Sequence, residues 1–398
     1  MARKANRCRG RQFRCCEALR EPRSATFLEL LIDVVFVLAL AMLSRLLLAD
    51  LSWAGAAQTL ILLLALSAVW AVASGICDKF DPRRPPIQML ILGALLGTLV
   101  MAAAAPEAFG DRGLHFAGAY VATQLGSVGI LTLLLRDHEI RRTLMRIAFW
   151  LGVSAVPWIS GALVQGSLRG MLWVLAVAVE YFTALLLFPT PGLGRASATK
   201  FAFSGEHLAD RYRQFFIIAL GELILVTGQT FDRSGFHAPQ YAAVLTAFAT
   251  TVLLWRIYIF SAGTLMAKAI ATTSGPVRAR PVVYVHAIMV AGIIPISVGY
   301  ELVIAHPFGH TPPAWIAVIL GGPALFLTGR ALFEFVVFSR LSWSRPIGVL
   351  VLAIVSPAVI LVPPLGGAAI AALVLAGVSI ADELRGRRDP PELRPPVG

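Results

Sequence analysis

Twelve apolar runs of about 20 residues, each closed by a charged or Pro/Gly-rich turn, constrain this chain more than any other feature. A helix rises about 1.5 Å per residue, so a run of that length crosses the roughly 30 Å hydrocarbon core of a bilayer. The runs cover residues 27–48, 55–77, 86–105, 114–135, 143–164, 168–188, 213–231, 239–260, 281–305, 312–338, 345–363 and 364–384. Only 14% of residues are charged and 58% are apolar, whereas a soluble domain has about 25% charged residues to cover its core. Lipid removes the need for that cover. The expected fold is all-α: a polytopic transmembrane helix bundle of about 12 spans, divisible into two six-helix halves. The last two runs meet at Val362-Pro363-Pro364-Leu365-Gly366-Gly367 with almost no loop, and alternatively read as one broken hairpin. The first run follows a basic tail but is longer than a secretory signal core and lacks a small-residue cleavage site, so it reads as a retained span.

The charges give sidedness. With the N-terminus in the cytoplasm, cytoplasmic segments hold 26 of the 34 Lys and Arg residues, and opposite loops hold Arg112, Arg169 and Arg233. This is the positive-inside pattern. It places both termini in the cytoplasm and the protein in the cytoplasmic membrane. The division expected is a basic tail (1–26), a first half (27–188), a cytoplasmic linker (189–212), a second half (213–384) and a cytoplasmic tail (385–398). The net charge of +12 is spread over short turns, which suits contact with anionic lipid headgroups rather than nucleic acid. Cys8, Cys15, Cys16 and Cys77 lack paired C-x-x-C spacing and read as thiols.

An ionisable group inside a span costs about 2.5–3.5 kcal/mol and so asks for a reason. Asp33, with Glu29 one helical turn earlier, lies in the first run, Glu180 in the sixth and Glu222 in the seventh. These carboxylates, with Arg256 in the eighth run, are the candidates for a polar pathway or proton relay. The alternative makes them structural pairs, for example Glu222 with Arg256 or Asp33 with a cationic residue of the tail. Arg330 and Glu334 are spaced as an i, i+4 pair. Runs one and seven are expected to face each other, bringing Asp33 near Glu222. Glu206, His207, Asp210 and Arg211 form a dense polar segment before run seven, read as a solvated interfacial motif; one His-x-x-Asp spacing does not make a metal site. Pro157, Pro295, Pro323 and Pro357 sit inside runs. Trp70 and Trp255, ending runs two and eight, hint at an internal repeat. No P-loop, G-x-S-x-G, H-E-x-x-H or nucleotide fingerprint occurs, so neither an enzyme nor a cofactor is expected.

Glu29-Leu30-Leu31-Ile32-Asp33-Val34-Val35-Phe36-Val37 resembles the opening E-L-F-F-D-L-V-F-V motif of the bacterial low-temperature-requirement A (LtrA) family. Glu206-His207-Leu208-Ala209-Asp210-Arg211, running into Ile217-Ile218-Ala219-Leu220-Gly221-Glu222, is similar to that family's E-H-x-x-E-R … I-I-A-L-G-E-S-I segment. Asp210 and Leu223 stand where the family usually has Glu and Ser. The resemblance implies a multi-pass membrane protein connected with growth in the cold. Together with the intramembrane acids it leads to the expectation of a transporter-like protein, proton-coupled, carrying an unidentified small solute or ion. The alternatives are an ion channel, which a short likeness of Asp33-Val34-Val35-Phe36 to a cation-channel F-S-D motif favours, and a non-transporting protein of cold or envelope adaptation.

Overall fold

The computed structural model describes residues 27–135, 140–197, 205–262, 280–338 and 341–388. They form α1 (Phe27–Ala49), α2 (Trp53–Lys79), α3 (Pro85–Ala104), α4 (Gly113–Leu134), α5 (Arg141–Leu163), α6 (Ser167–Leu185), α7 (Gly205–Ser234), α8 (Ala238–Ala262), α9 (Arg280–Ala305), α10 (Pro313–Phe338), α11 (Ser344–Val355) and α12 (Pro364–Arg388). Eleven are long and apolar enough to cross a membrane. Their outward faces carry Val34, Met89, Leu96, Val156, Leu163 and Leu373, all exposed. That is the surface of a helix apolar all round, stable against lipid and not against water.

The exception is α11. The sequence predicts one span over 345–363, but the helix stops at Val355. Pro357 has no N–H to give the Ala353 carbonyl, and the Ser356 hydroxyl donates to that carbonyl instead, at 2.9 Å. A 3-10 turn (Ala358–Leu361) follows and Val362 is extended. This break is held in place from outside: Thr311 Oγ1 donates to the Val362 carbonyl at 2.7 Å, and Leu365 N donates to the Pro307 carbonyl at 3.2 Å.

The centre is built by α1, which packs against α2, α3, α7 and α9. Helix α1 therefore touches helices from both parts of the chain. Helices α4, α5 and α6 form a group at one side, joined to α2 through Tyr181, whose hydroxyl donates to the Leu64 carbonyl at 2.9 Å. On the other side α9 and α10 lie antiparallel in the closest contact of the molecule. A Cβ on Gly322 would meet Ile296 N at 2.8 Å, and one on Gly329 would meet Met289 N at 2.8 Å. Lipid tails are as apolar as leucine, so membrane helices associate through such close approach rather than through hydrophobic exclusion. Hydroxyls elsewhere in the spans bond the carbonyl one turn back, as Thr59 does to Gly55 and Thr98 to Ala94, both at 2.8 Å, which satisfies them without a second helix. Trp70 is buried while Trp255 is exposed, so the two tryptophans do not occupy equivalent places.

Candidate functional site

The three intramembrane acids occupy three separate polar centres. The first joins α1, α2 and α7. Arg211 reaches Asp33 with both amino groups, Nη1 to Oδ2 and Nη2 to Oδ1, each at 3.2 Å, and the two side chains are 1% and 0% exposed. Arg211 also donates to Ser74 Oγ and Gln214 Oε1 at 3.3 Å. Trp70 donates its indole N–H to Asp33 at 3.4 Å, with its ring 5.6 Å from the guanidinium carbon. Phe215 packs on Trp70 from the far side. A forked pair with further donors and acceptors around it is the geometry in which a buried ion pair is tolerated.

Glu222 forms the second centre, where α1, α7 and α9 meet. It is 1% exposed. Its Oε1 accepts from Ser44 at 3.0 Å and from Ser297 at 2.5 Å, and its Oε2 has no hydrogen-bond partner among the described residues. No cation touches it among the described residues. Glu301 and Tyr300 lie within its electrostatic reach, and the Tyr300 hydroxyl is 3.1 Å from Thr251 Oγ1.

Glu180 forms the third centre, inside α4–α6. Oε1 accepts from Ser154 at 2.7 Å and from Trp158 Nε1 at 3.0 Å, while Oε2 accepts from Tyr120. Both oxygens are engaged, within an aromatic cluster of Tyr120, Trp158 and Trp173.

Helices α1 and α7 do face each other, but Asp33 and Glu222 do not meet. Asp33–Arg211 and Ser44–Glu222 are both separated by 178 residues. Equal offsets mean that the two helices run parallel in one register, and the acids sit eleven residues apart along it, roughly 16 Å at 1.5 Å per residue. Arg256 is not the partner of Glu222: it pairs with Glu383 of α12, on the exposed side of α8. Arg330 does not pair with Glu334, because Arg345 takes Glu334 at 2.6 Å and Asp382 at 2.9 Å. Arg211 stands at the first residue of the α7 span, inside a helix that begins at Gly205, but it is buried against Asp33 rather than solvated. The side chains of Glu29, Glu206, His207 and Asp210, and Cys8, Cys15 and Cys16, lie outside the described residues, while Cys77 is a buried thiol. Among the described residues no group of three or more His, Cys, Asp or Glu side chains is placed to hold a metal ion.

The sequence reading missed three features. Ser44 and Ser297 are single hydroxyls in apolar runs, which any span tolerates, and only the fold shows what they serve. Arg169, read as a loop cation, is 3% exposed and donates to the carbonyls of Gly161, Ala162, Val164, Ala108 and Gly110 at 2.5–3.4 Å. It thereby ties the end of α5 to the α3–α4 turn. Gly113 makes room for it, since a Cβ there would lie 2.8 Å from the guanidinium carbon.

Comparison with known proteins agrees with the motifs carried by α1 and α7. Residues 24–380 match the family described as "Bacterial low temperature requirement A protein (LtrA)". An uncharacterized protein of Rhizobium meliloti (strain 1021) is 35% identical over 354 residues, covering 88% of this chain and 86% of that protein. The family match takes in the Asp33–Arg211 and Glu222 centres. The chain is a multi-pass membrane protein that belongs to the bacterial low temperature requirement A family.

Proposed function

We propose that this protein is a transporter of the cytoplasmic membrane in which movement of a small solute or ion is coupled to proton transfer at Glu222. The observation that carries this reading is the asymmetry of that carboxyl group. One oxygen holds two serine hydroxyls from two other helices, and the other, equally buried, holds nothing. Asp33 differs, because Arg211 compensates its charge in place. Glu180 differs too, because both of its oxygens are engaged. A charge held at mid-span without a cation costs about 2.5–3.5 kcal/mol, and a proton on Oε2 removes that cost.

Ser44 and Ser297 come from α1 and α9. Any rearrangement of those helices about α7 changes the number of donors at Glu222, and so the balance between its charged and neutral forms. Proton binding and helix arrangement are then linked, which is the requirement for a proton-driven carrier. The basic turns orient both termini to the cytoplasm. The family's name supports a role in growth at low temperature. The expected work is transport rather than covalent chemistry.

The test is Glu222→Gln, which keeps the shape and an acceptor oxygen for the serines. In pH-difference infrared spectra of the purified protein, the wild type should show the carbonyl band of a protonated buried carboxyl group, and the variant should lose it. In vesicles with an internal pH dye, a gradient of a solute that the wild type carries should move protons with it, and the variant should lose that coupling. A stably inserted variant with an unchanged band and unchanged proton flux overturns the reading. A large, gradient-limited current in both proteins would indicate a channel instead.

A further inference from the structure

A fourth buried centre lies between α7, α8 and α10, away from Glu222. Arg330 of α10 is 0% exposed, and its Nη1 and Nη2 have no hydrogen-bond partner among the described residues. Its one polar contact is a long one, from Nε to the Ile257 carbonyl of α8 at 3.4 Å. The next residue, Tyr258, is 1% exposed and its hydroxyl is also without a partner. The charges within reach of that hydroxyl are the guanidinium groups of Arg330 and of Arg213 on α7.

The walls are aromatic. The Tyr258 ring stacks on Phe216 with centroids 3.9 Å apart, Phe216 packs on Phe326 at 5.6 Å, and the Arg330 guanidinium carbon lies 5.3 Å from the Phe333 centroid. Two acids stand nearby, Glu334 and Asp382, yet both are spent on Arg345. Glu334 also accepts from Ser342 N at 3.2 Å, and Asp382 from Ser344 at 2.8 Å. The two acids and two arginines balance in charge, but both acids bond Arg345, and among the described residues neither forms an ion pair with Arg330.

We infer that Arg330 and Tyr258 form a binding site for a small anion with two acceptor oxygens, a carboxylate or a compact oxyanion. A guanidinium group presents two parallel N–H donors along one edge, which such a ligand accepts side by side, and a phenol supplies a third donor. The aromatic walls keep water from competing, which strengthens each of these bonds. Buried donors left without an acceptor carry a desolvation cost, and the bound anion removes it. The site is closed inside the bundle, so it suits a free anion and not a lipid headgroup. This inference stands apart from the proton reading at Glu222 and survives its failure.

The experiment titrates formate, nitrate and inorganic phosphate against the purified full-length protein at constant ionic strength, with gluconate as the replaced anion, and reads binding by calorimetry and melting temperature. Saturable binding of at least one probe is expected, with a rise in melting temperature. Arg330→Gln should abolish both, and Tyr258→Phe should weaken binding about tenfold, the equivalent of one lost charge-assisted hydrogen bond. Should Arg330→Gln fail to fold, Tyr258→Phe decides, because removing one hydroxyl leaves the ring stack intact. No saturable binding of any probe to the wild type, or binding to folded Tyr258→Phe as tight as to the wild type, overturns the site.

Discussion

Replacing Asp33 by asparagine removes one charge from a pair that is 1% and 0% exposed and leaves Arg211 inside the bundle. Asparagine keeps an oxygen for the Trp70 indole, and Arg211 keeps Ser74 and Gln214 as acceptors at 3.3 Å. The cost therefore falls near the low end of the about 3–5 kcal/mol seen when one partner of a buried pair is removed. Arg211→Gln removes from Asp33 the two 3.2 Å charged contacts of the fork and leaves its charge in the bundle, and should cost at least as much, about 3–5 kcal/mol. Combining the two removes both charges and leaves two amides that can bond each other, at a cost of roughly 1–2 kcal/mol, the scale of a rearranged buried hydrogen bond. The double variant should thus be more stable than either single one, with a coupling energy of at least about 2 kcal/mol. Detergent-unfolding titrations of the four proteins in mixed micelles measure it, with membrane abundance as a parallel reading. Single costs that simply add in the double variant, or an Asp33→Asn protein as stable as the wild type, would refute the pair as a structural unit.

In the α9–α10 contact, Gly322→Ala should lose about 1–3 kcal/mol by overpacking against Ile296 N, while Gly321→Ala, whose Cβ would meet nothing within 4 Å, should melt like the wild type. Arg169→Lys removes the fork that serves five carbonyls and should lower stability by about 2–3 kcal/mol in the same titration; a neutral result would mean that water serves those carbonyls equally well. In a cysteine-free background, Phe36→Cys with Phe215→Cys, whose rings are 5.5 Å apart, should crosslink with a short bifunctional thiol reagent. Val37→Cys with Val226→Cys, eleven residues out of register, should not, and the reverse pattern would overturn the parallel alignment of α1 and α7.

Much of this architecture can be read along the chain, because an apolar run and its charged ends are local facts. The positions of Asp33, Glu180 and Glu222 were legible for the same reason: a charge stands out against twenty apolar residues. Their partners were not. Whether Glu222 meets Arg256 or Ser44 depends on the rotation of α7 about its axis and on which helices surround it, and packing decides both. Arg211 and Arg345 show a related blindness. Each lies within a turn or two of a span end, where most arginines reach water, and only a facing acid on another helix turns them inward. The α11 break had its signal in Pro357, but proline inside α5, α9 and α10 is carried without interruption. Proline alone does not say which helix will end.

The parallel register of α1 and α7 carries a mechanical consequence. The two helices are fastened at two heights by contacts of about 3 Å, like a strut held by two bolts. A piston stroke of one residue, about 1.5 Å, would shear both fastenings together, the upper one an ion pair. A tilt about the Asp33–Arg211 fastening would strain only the Ser44 bond to Glu222. Of the two motions the tilt breaks fewer contacts, and it keeps the arginine end fixed while the glutamate end moves.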